Sequence, residues 1–291
     1  MITDARTVEE ALQRVSGADV AATRGVSGGC IANGSRVELV NGDVWFVKRS
    51  RTLPPDLFAA EAAGLRALSA APGPRVPEVV AVHASSAESF IVMEWVEQGS
   101  RGRGFAEEFG RALARMHRHR SSDRFGFERD NYIGATPQPN AWMDSWYDFF
   151  RERRIGYQTS LARDSGLIHA DDVRDLEAIM GRIESILPEP DRPSLLHGDL
   201  WGGNYLVDSG GNAVLIDPAA YYGHREADLA MTELFGGFSS GFYSAYDREW
   251  PLEPGYRGRA SLYNLYHMLN HANLFGQSYV SGVRRIVRTY R

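Results

Sequence analysis

Hydrophobic and polar positions in the first third of the chain alternate between two periods. Apolar residues recur at helical spacing over 7–15 and again over 57–70. Strand-like runs occupy 36–40, 44–48, 78–83 and 89–92. The dipeptide Asn41-Gly42 between the first two runs is a strong hairpin signal. This part of the chain is therefore predicted to form a small antiparallel sheet with accompanying helices.

The helical period dominates the rest of the chain. It predicts long helices at 105–119, 142–157, 171–187 and 256–275. The second of these carries four rings that we expect to point inward, Trp142, Trp146, Phe149 and Phe150. Two short strands, 205–207 and 213–216, flank a turn rich in glycine. The whole pattern predicts an α+β protein whose strands lie mainly near the N-terminus.

Composition narrows the function classes. The chain has 291 residues, which suggests two domains, and a formal net charge of −5, which does not favour nucleic-acid binding. We expect no membrane span, and the acidic, polar N-terminus is unlike a signal peptide, so a cytoplasmic protein is expected. Cys30 is the single cysteine, which excludes an intrachain disulfide.

The segment from Leu195 to Ala220 carries the strongest chemical signal. Asp199 ends the triplet His197-Gly198-Asp199, Asn204 follows five positions later, and Asp217 comes at the end of an apolar strand. A phosphotransferase needs one carboxylate to accept a hydroxyl proton and oxygen ligands for magnesium on the ATP phosphates. An Asp beside a Gly is most often only a turn residue, but the three side chains together have kinase spacing. We predict Asp199 as the base and Asn204 and Asp217 as magnesium ligands.

Lys48 has a special place in the composition, because it is the only lysine among 32 basic residues. It ends a predicted strand that follows a glycine-rich loop containing Gly28, Gly29 and Cys30. A kinase places a phosphate-binding lysine in this position. Glu61, on the next predicted helix, is either a surface residue or the carboxylate that pairs with Lys48.

Several segments together resemble the fructosamine kinase (ketosamine kinase) family. These are HGDLWGGN, IDPAAYYGHREADLAM, TPQPN and the glycine-rich loop, and the resemblance runs from about residue 7 to residue 285. It implies a protein-kinase-like fold with a small antiparallel-sheet N-lobe, residues 1–98, and a larger, mainly helical C-lobe, residues 99–291.

The resemblance also implies an activity. The γ-phosphoryl group of ATP, with Mg²⁺, passes to O3 of a ketosamine, either a small molecule or an adduct on a protein. The phosphorylated adduct then breaks down and releases the amine. Because HGD-x-x-x-x-N is shared with aminoglycoside and choline kinases, a phosphotransferase of either type is the alternative. A nucleotide-binding protein without activity is disfavoured, since no expected catalytic residue is missing.

Further residue roles follow from the resemblance. The interlobe hinge is predicted at 94–98, and adenine is expected to bind along Met93, Glu94, Trp95 and Val96. Trp201 either stacks on the sugar or its amine substituent, or anchors the loop. His197 and Asp228 are expected to support the catalytic loop, although Asp228 also suits an ordinary first-turn helix acid. Apart from the resemblance, the position of Cys30 in the glycine-rich loop suggests a dimer linked by a disulfide under oxidation, and a monomer otherwise.

Overall fold

A computed structural model describes residues 5–26 and 33–291 of the chain. Within them the strands are β1 Val20–Val26, β2 Asn33–Leu39, β3 Val44–Ser50, β4 Val79–His83, β5 Ser89–Glu94, β6 Asn131–Ile133, β7 Thr136–Gln138, β8 Ser194–Leu196, β9 Tyr205–Val207, β10 Ala213–Leu215 and β11 Tyr221–Gly223. The α-helices are α1 Val8–Ser16, α2 Leu57–Ala70, α3 Phe105–Arg118, α4 Trp146–Asp148, α5 Tyr157–Asp164, α6 Ala170–Met180, α7 Ile183–Ile186, α8 Glu226–Leu234, α9 Ser240–Glu249, α10 Tyr256–Phe275 and α11 Val280–Thr289. A π-helix, Phe149–Gly156, joins α4 to α5, and a 3₁₀ turn, Gln277–Tyr279, joins α10 to α11.

The N-lobe is built around one five-stranded sheet. Its strand order is β1-β2-β3-β5-β4, and every neighbouring pair is antiparallel. The register sets Lys48 of β3 opposite Gly34 of β2 and Ile91 of β5. The apolar stripe of α1, with Ala11 and Leu12 fully buried, packs against one set of sheet side chains in a small separate core. These features confirm the small antiparallel sheet that the alternation predicted.

The C-lobe is mainly helical, which gives the two-lobed α+β fold that the pattern and the resemblance predicted. Its core is continuous with α2 of the N-lobe and is rich in aromatic rings, including Trp146, Phe149 and Tyr263. Three short antiparallel pairs, β6–β7, β8–β11 and β9–β10, lie among the helices. The predicted helices at 57–70 and 256–275 are confirmed in full. Across the described part of the chain, no helix combines the length and apolar character that crossing a membrane requires.

The helix predicted over 142–157 is wrong at its start and in its geometry. Backbone hydrogen bonds between Met143 and Phe125, 2.8 and 2.9 Å long, hold the preceding segment extended. The helix begins only at Trp146, after Ser145 caps it by accepting a hydrogen bond from the Asp148 N–H. Trp142 lies before this cap and is 36% exposed, so it does not point inward as predicted. The other three rings are fully buried.

The helix predicted over 171–187 is likewise two helices. α6 ends at Met180, and α7 begins at Ile183 after a turn around Gly181. Glycine lowers helix stability in an interior position, by about 1 kcal/mol relative to alanine. The apolar period continues across the break because Ile179 and Ile183 pack into the same core, and this continuity explains the prediction of a single helix.

Candidate active site

The loop that carries Asp199 is fixed from below by the carboxylate of Asp228 on α8. The backbone N–H of His197 donates to Oδ2 of Asp228 over 2.7 Å, and that of Gly198 donates to Oδ1 over 2.8 Å. Asp228 is 1% exposed. Burial alone raises the pKa of a carboxyl group, but the hydrogen bonds from His117 and the loop amides hold the pKa of Asp228 below its ordinary value.

A buried histidine completes this support, and sequence reasoning assigned it no part in the site. His117 of α3 donates from Nε2 to Oδ2 of Asp228 over 3.1 Å. Its Nδ1 lies 2.8 Å from the hydroxyl of Tyr246 on α9, which donates to it. Burial lowers the pKa of His117, so the ring is neutral at pH 7. Side chains of three helices, α3, α8 and α9, therefore form one chain of hydrogen bonds beneath the loop.

The side chain of His197 ties the loop to the strand that leads to Asp217. Its Nε2 donates to the carbonyl of Ile216 over 2.9 Å, and its Nδ1 accepts the N–H of Asp199 over 3.3 Å. The backbone carbonyl of His197 also accepts the N–H of Ala219. Burial lowers the pKa of His197, so it fills this role as a neutral ring. These hydrogen bonds join the two segments of the site to each other.

Gly198 is the one loop position where the backbone requires glycine. Its φ is +82°, and a Cβ atom there would lie 2.0 Å from the carbonyl oxygen of Ala219. Any side chain would push the loop away from the segment that follows Asp217. The glycine of the HGD triplet is therefore explained by close packing rather than by contact with a ligand.

Asp199 is half-buried and has a single side-chain donor, in contrast to Asp228. Nδ2 of Asn204 donates to Oδ2 of Asp199 over 3.0 Å and to its backbone carbonyl over 2.8 Å. Burial is the main cause that raises the pKa of Asp199 to about 7, the negative charges of Asp217 and Asp228 add to it, and Asn204 opposes it. The group thus titrates near neutral pH, where a general base is most effective.

Asp217 stands just beyond β10 in a backbone conformation that few residues adopt. Its φ is +56°, the only positive value at a non-glycine residue in the described ranges. The N–H of Ile216 donates to the carbonyl of Asn204 over 3.0 Å, so the β9–β10 hairpin brings Asn204 and Asp217 to the same end. Such uncommon backbone geometry is concentrated at functional sites.

Lys48 connects the two lobes through charge. Its Nζ lies 2.8 Å from Oε1 of Glu61 on α2 and forms a second ion pair with Oδ1 of Asp217. Burial alone lowers the pKa of Lys48, but the two carboxylates outweigh that effect and raise it above its ordinary value. The lysine is therefore charged and held directly at the junction of the lobes.

Two cavities meet at this junction. The larger, of about 480 Å³, is lined by Asp199, Trp201 and Asn204, together with residues of α10. The smaller, of about 160 Å³, lies between the N-lobe sheet and the C-lobe residues Leu206 and Ile216. The two linings have four residues in common, which are Lys48, Glu61, Gly203 and Asp217.

All four residues predicted to bind adenine, Met93, Glu94, Trp95 and Val96, line the smaller cavity. The carboxylate of Glu94 is held by Arg75, whose guanidinium donates to both oxygens over 2.8 to 3.1 Å. Arg75 also contacts Asp208 in the β9–β10 turn, with Nε 3.3 Å from Oδ2. Sequence reasoning did not find Arg75, which joins the hinge to the catalytic hairpin.

The predicted residues Gly28, Gly29 and Cys30 lie outside the described residues. The predicted substrate residue Trp201 is half-buried and lines the larger cavity. Its ring crosses the loop at Gly203, where a Cβ atom would lie 2.3 Å from the indole. The loop therefore presents the ring to the cavity instead of enclosing it in the core.

A buried polar network holds the segment after Asp217 in place, and it explains the TPQPN motif. Gln138 donates to the carbonyl of Ala219 over 3.0 Å, and Asn131 donates to that of Ala220 over 2.7 Å.

Behind these two residues, the fully buried Arg154 donates to Oδ1 of Asn140 over 2.7 Å and lies 3.9 Å above the ring of Tyr221. The π-helix carries Arg154 in its last turn. The sequence marked the TPQPN segment but not its partners, because these contacts join distant positions of the chain.

The fold and the site together define a phosphotransferase of the protein-kinase-like class. The chain belongs to the fructosamine kinase family, whose sequence model matches residues 4–290. This match confirms the resemblance inferred from the motifs. The chain is similar to a Synechocystis protein assigned as a ketoamine kinase. The two are 45% identical over 267 residues, which cover 91% of this chain and 88% of that protein.

Two further relatives agree with this family. The chain is 42% identical over 270 residues to the chloroplastic protein-ribulosamine 3-kinase of Arabidopsis thaliana, covering 91% of this chain and 81% of the relative. The crystal structure of a Thermobifida fusca protein assigned as a fructosamine-3-kinase superposes with a TM-score of 0.87 at 35% identity. That comparison covers 98% of this chain and 99% of the other.

Proposed function

We propose that the protein is an ATP-dependent kinase that phosphorylates O3 of a ketosamine, after which the adduct eliminates phosphate and releases its amine. The observation that carries this proposal is the meeting of the two cavities at Lys48, Glu61 and Asp217, with Asp199 on the side of the larger one. A phosphoryl donor in the smaller cavity and a hydroxyl acceptor in the larger one would face each other at this junction.

The donor side suits a nucleotide. We assign adenine to the hinge cleft lined by Met93 to Val96 and the phosphates to Lys48, which Glu61 orients. The glycine-rich loop with Gly28 and Gly29 is proposed to cover the phosphates. The lobe boundary is placed after residue 98, at the end of the hinge. Dependence on ATP also makes the cytoplasm its expected location.

Asn204 and Asp217 are proposed to hold magnesium. Nδ2 of Asn204 is used toward Asp199, which leaves its Oδ1 as a possible ligand, and one oxygen of Asp217 remains beside the one paired with Lys48. Two oxygen ligands fit magnesium, which takes its remaining ligands from phosphates and water. When bound, the ion neutralises charge on the phosphates.

Asp199 is proposed as the general base. Its carboxylate accepts the proton of the O3 hydroxyl, whose oxygen forms a bond to the γ-phosphorus as the bond to the ADP oxygen breaks. The raised pKa, about 7, favours proton acceptance near neutral pH. The fixed loop amides and His197 keep the carboxylate in position during this step.

The test is Mg²⁺-dependent ATP turnover on fructosyl and ribulosyl adducts, an aminoglycoside and choline. We expect turnover on at least one ketosamine, and a decrease in kcat of roughly 10²-fold or more in Asp199→Asn, the scale of a lost general base. ADP binding by the variant, measured by calorimetry, controls for folding. Turnover on the aminoglycoside or choline alone would contradict the proposed acceptor, and near-normal kcat in the variant would contradict Asp199 as base.

A further inference from the structure

A row of aromatic side chains extends from the catalytic loop along one wall of the larger cavity. We call these residues the aromatic row: Trp201, Phe235, His271, Phe275 and Tyr279. Neighbouring ring centroids lie 6.3 Å apart for Trp201 and Phe235, 4.9 Å for Phe235 and His271, and 5.6 Å for His271 and Phe275. Tyr279 closes the group at 5.2 Å from His271. The rings thus form one continuous surface.

The outer end of the aromatic row is open to solvent. Phe235 is 44% exposed and Phe275 is 54% exposed, and they are two of the four exposed large hydrophobic residues in the described ranges. Their rings are held by elements of the C-lobe, since Phe235 follows α8 and Phe275 ends α10. Exposed rings at the mouth of a cavity are typical of a binding surface. The row therefore leads from the reaction site toward solvent.

The charge of the cavity wall favours a cation over an anion. No arginine is among the described residues that line the cavity, although 31 of the 32 basic residues of the chain are arginine. The lining lysine, Lys48, is already paired with Glu61 and Asp217. An anionic group beside the rings would thus have no cationic partner, whereas the faces of the rings attract cations.

His271 contributes an acceptor to this wall without adding positive charge. Its Nδ1 lies 2.8 Å from the carbonyl of His267, and a carbonyl only accepts, so Nδ1 carries the proton. Burial lowers the pKa of His271, which keeps the ring neutral. Its Nε2 is then an acceptor suited to an N–H group of a ligand.

We propose that the aromatic row is the subsite for the amine arm of the substrate, and that it selects a protonated secondary amine whose carbon chain carries no carboxylate next to the nitrogen. The proposal rests on the proposed function, since a ketosamine bound with O3 at Asp199 carries its nitrogen on C1, two carbons from the reacting C3. The ammonium group and its chain then lie against Phe235, His271 and Phe275, and the chain leaves the cavity between the two exposed rings.

Two matched pairs of substrates test the selection in the wild-type protein. In the first pair, fructosyl-ethanolamine carries a hydroxymethyl group where fructosyl-glycine carries a carboxylate. In the second pair, fructosyl-pentylamine has a longer carbon chain than fructosyl-methylamine. We expect kcat/KM to favour the first member of each pair by roughly tenfold, because fructosyl-glycine places an unpaired carboxylate beside the rings and fructosyl-methylamine lacks the methylenes that the rings would bury. Equal kcat/KM within both pairs would overturn the subsite and leave the proposed function intact, whereas no turnover of any adduct would overturn both.

Variants of the outer rings test the residues themselves. In Phe235→Ser/Phe275→Ser we expect the pentylamine-to-methylamine ratio of kcat/KM to decrease roughly tenfold, through KM and with kcat largely retained, because the longer chain loses its apolar contacts. Phe275→Tyr keeps the aromatic face and is expected to keep the ratio. Trp142→Ser, which removes an exposed ring outside the cavity, is the matched control and is also expected to keep it. An unchanged ratio in the double variant would overturn the assignment.

Discussion

Two aspartates less than thirty residues apart, Asp199 and Asp228, have opposite electrostatic environments. Asp228 accepts two backbone N–H groups and one histidine N–H, and its pKa is held below the ordinary value. Asp199 accepts a hydrogen bond from one side chain, Asn204. Burial and the negative charges of Asp217 and Asp228 raise its pKa to about 7. The number of donors therefore separates a carboxylate that holds the structure together from one that can accept a proton.

The largest expected contrast is in the stability of Asn variants at these two positions. In Asp228→Asn the amide NH₂ would face an N–H donor, so we expect the free energy of unfolding to decrease by roughly 2 to 4 kcal/mol. In Asp199→Asn no such conflict arises, since Asn204 and the open cavity surround the side chain. Urea denaturation at pH 8 followed by tryptophan fluorescence measures both values.

The pH dependence of this contrast has a definite sign. The folded-state pKa of Asp199 is raised above its unfolded value of about 3.9, so protonation favours the folded state. The contribution of Asp199 to stability is present at pH 4 and is lost as the pH rises through about 7. The Asn side chain does not titrate, so the variant does not share this loss. The unfolding free energy of Asp199→Asn is therefore expected to increase relative to that of the wild type between pH 4 and pH 8. A stability difference independent of pH would contradict the raised pKa.

A smaller effect is expected at His117, which contacts Asp228 but lies away from both cavities. In His117→Phe, Asp228 loses one donor and the Tyr246 hydroxyl loses its acceptor, so we expect a decrease of roughly 1 to 3 kcal/mol in unfolding free energy. Because Asp228 still holds the loop amides, we expect kcat to fall severalfold with KM for ATP nearly unchanged.

The double variant His117→Phe/Tyr246→Phe separates the two contacts of His117. It removes the hydroxyl that the single variant leaves without its acceptor, so part of the lost stability should return while kcat stays low. Recovery of both quantities together would contradict a positioning role for His117 and indicate a structural role alone.

The sequence predicted the proposed reactive side chains and their nearest supports, Glu61, His197 and Asp228, but not the groups that hold those supports. Asp199, Asn204 and Asp217 lie within one short segment, and the alternation of β3 aimed Lys48 at them. The contact between His117 and Asp228 spans 111 positions, and that between Gln138 and Ala219 spans 81. Such contacts depend on helix packing, which no local period encodes. The π-helix escaped prediction because Trp146, Phe149 and Phe150 follow the ordinary helical period, and only the buried Ile155, five positions after Phe150, departs from it.

The finest test of the comparison is the titration of Asp199 itself. Infrared difference spectra between the wild type and Asp199→Asn, recorded without nucleotide, isolate the carboxyl band of this residue from the ionisation of ATP and of the substrate amine. We expect a midpoint at about pH 7. Adding Mg²⁺ with ADP should lower the midpoint, because a cation beside Asp217 offsets one of the negative charges that raise it. A midpoint near the ordinary aspartate value would show that the single donor from Asn204 outweighs burial, and the distinction from Asp228 would then rest on geometry alone.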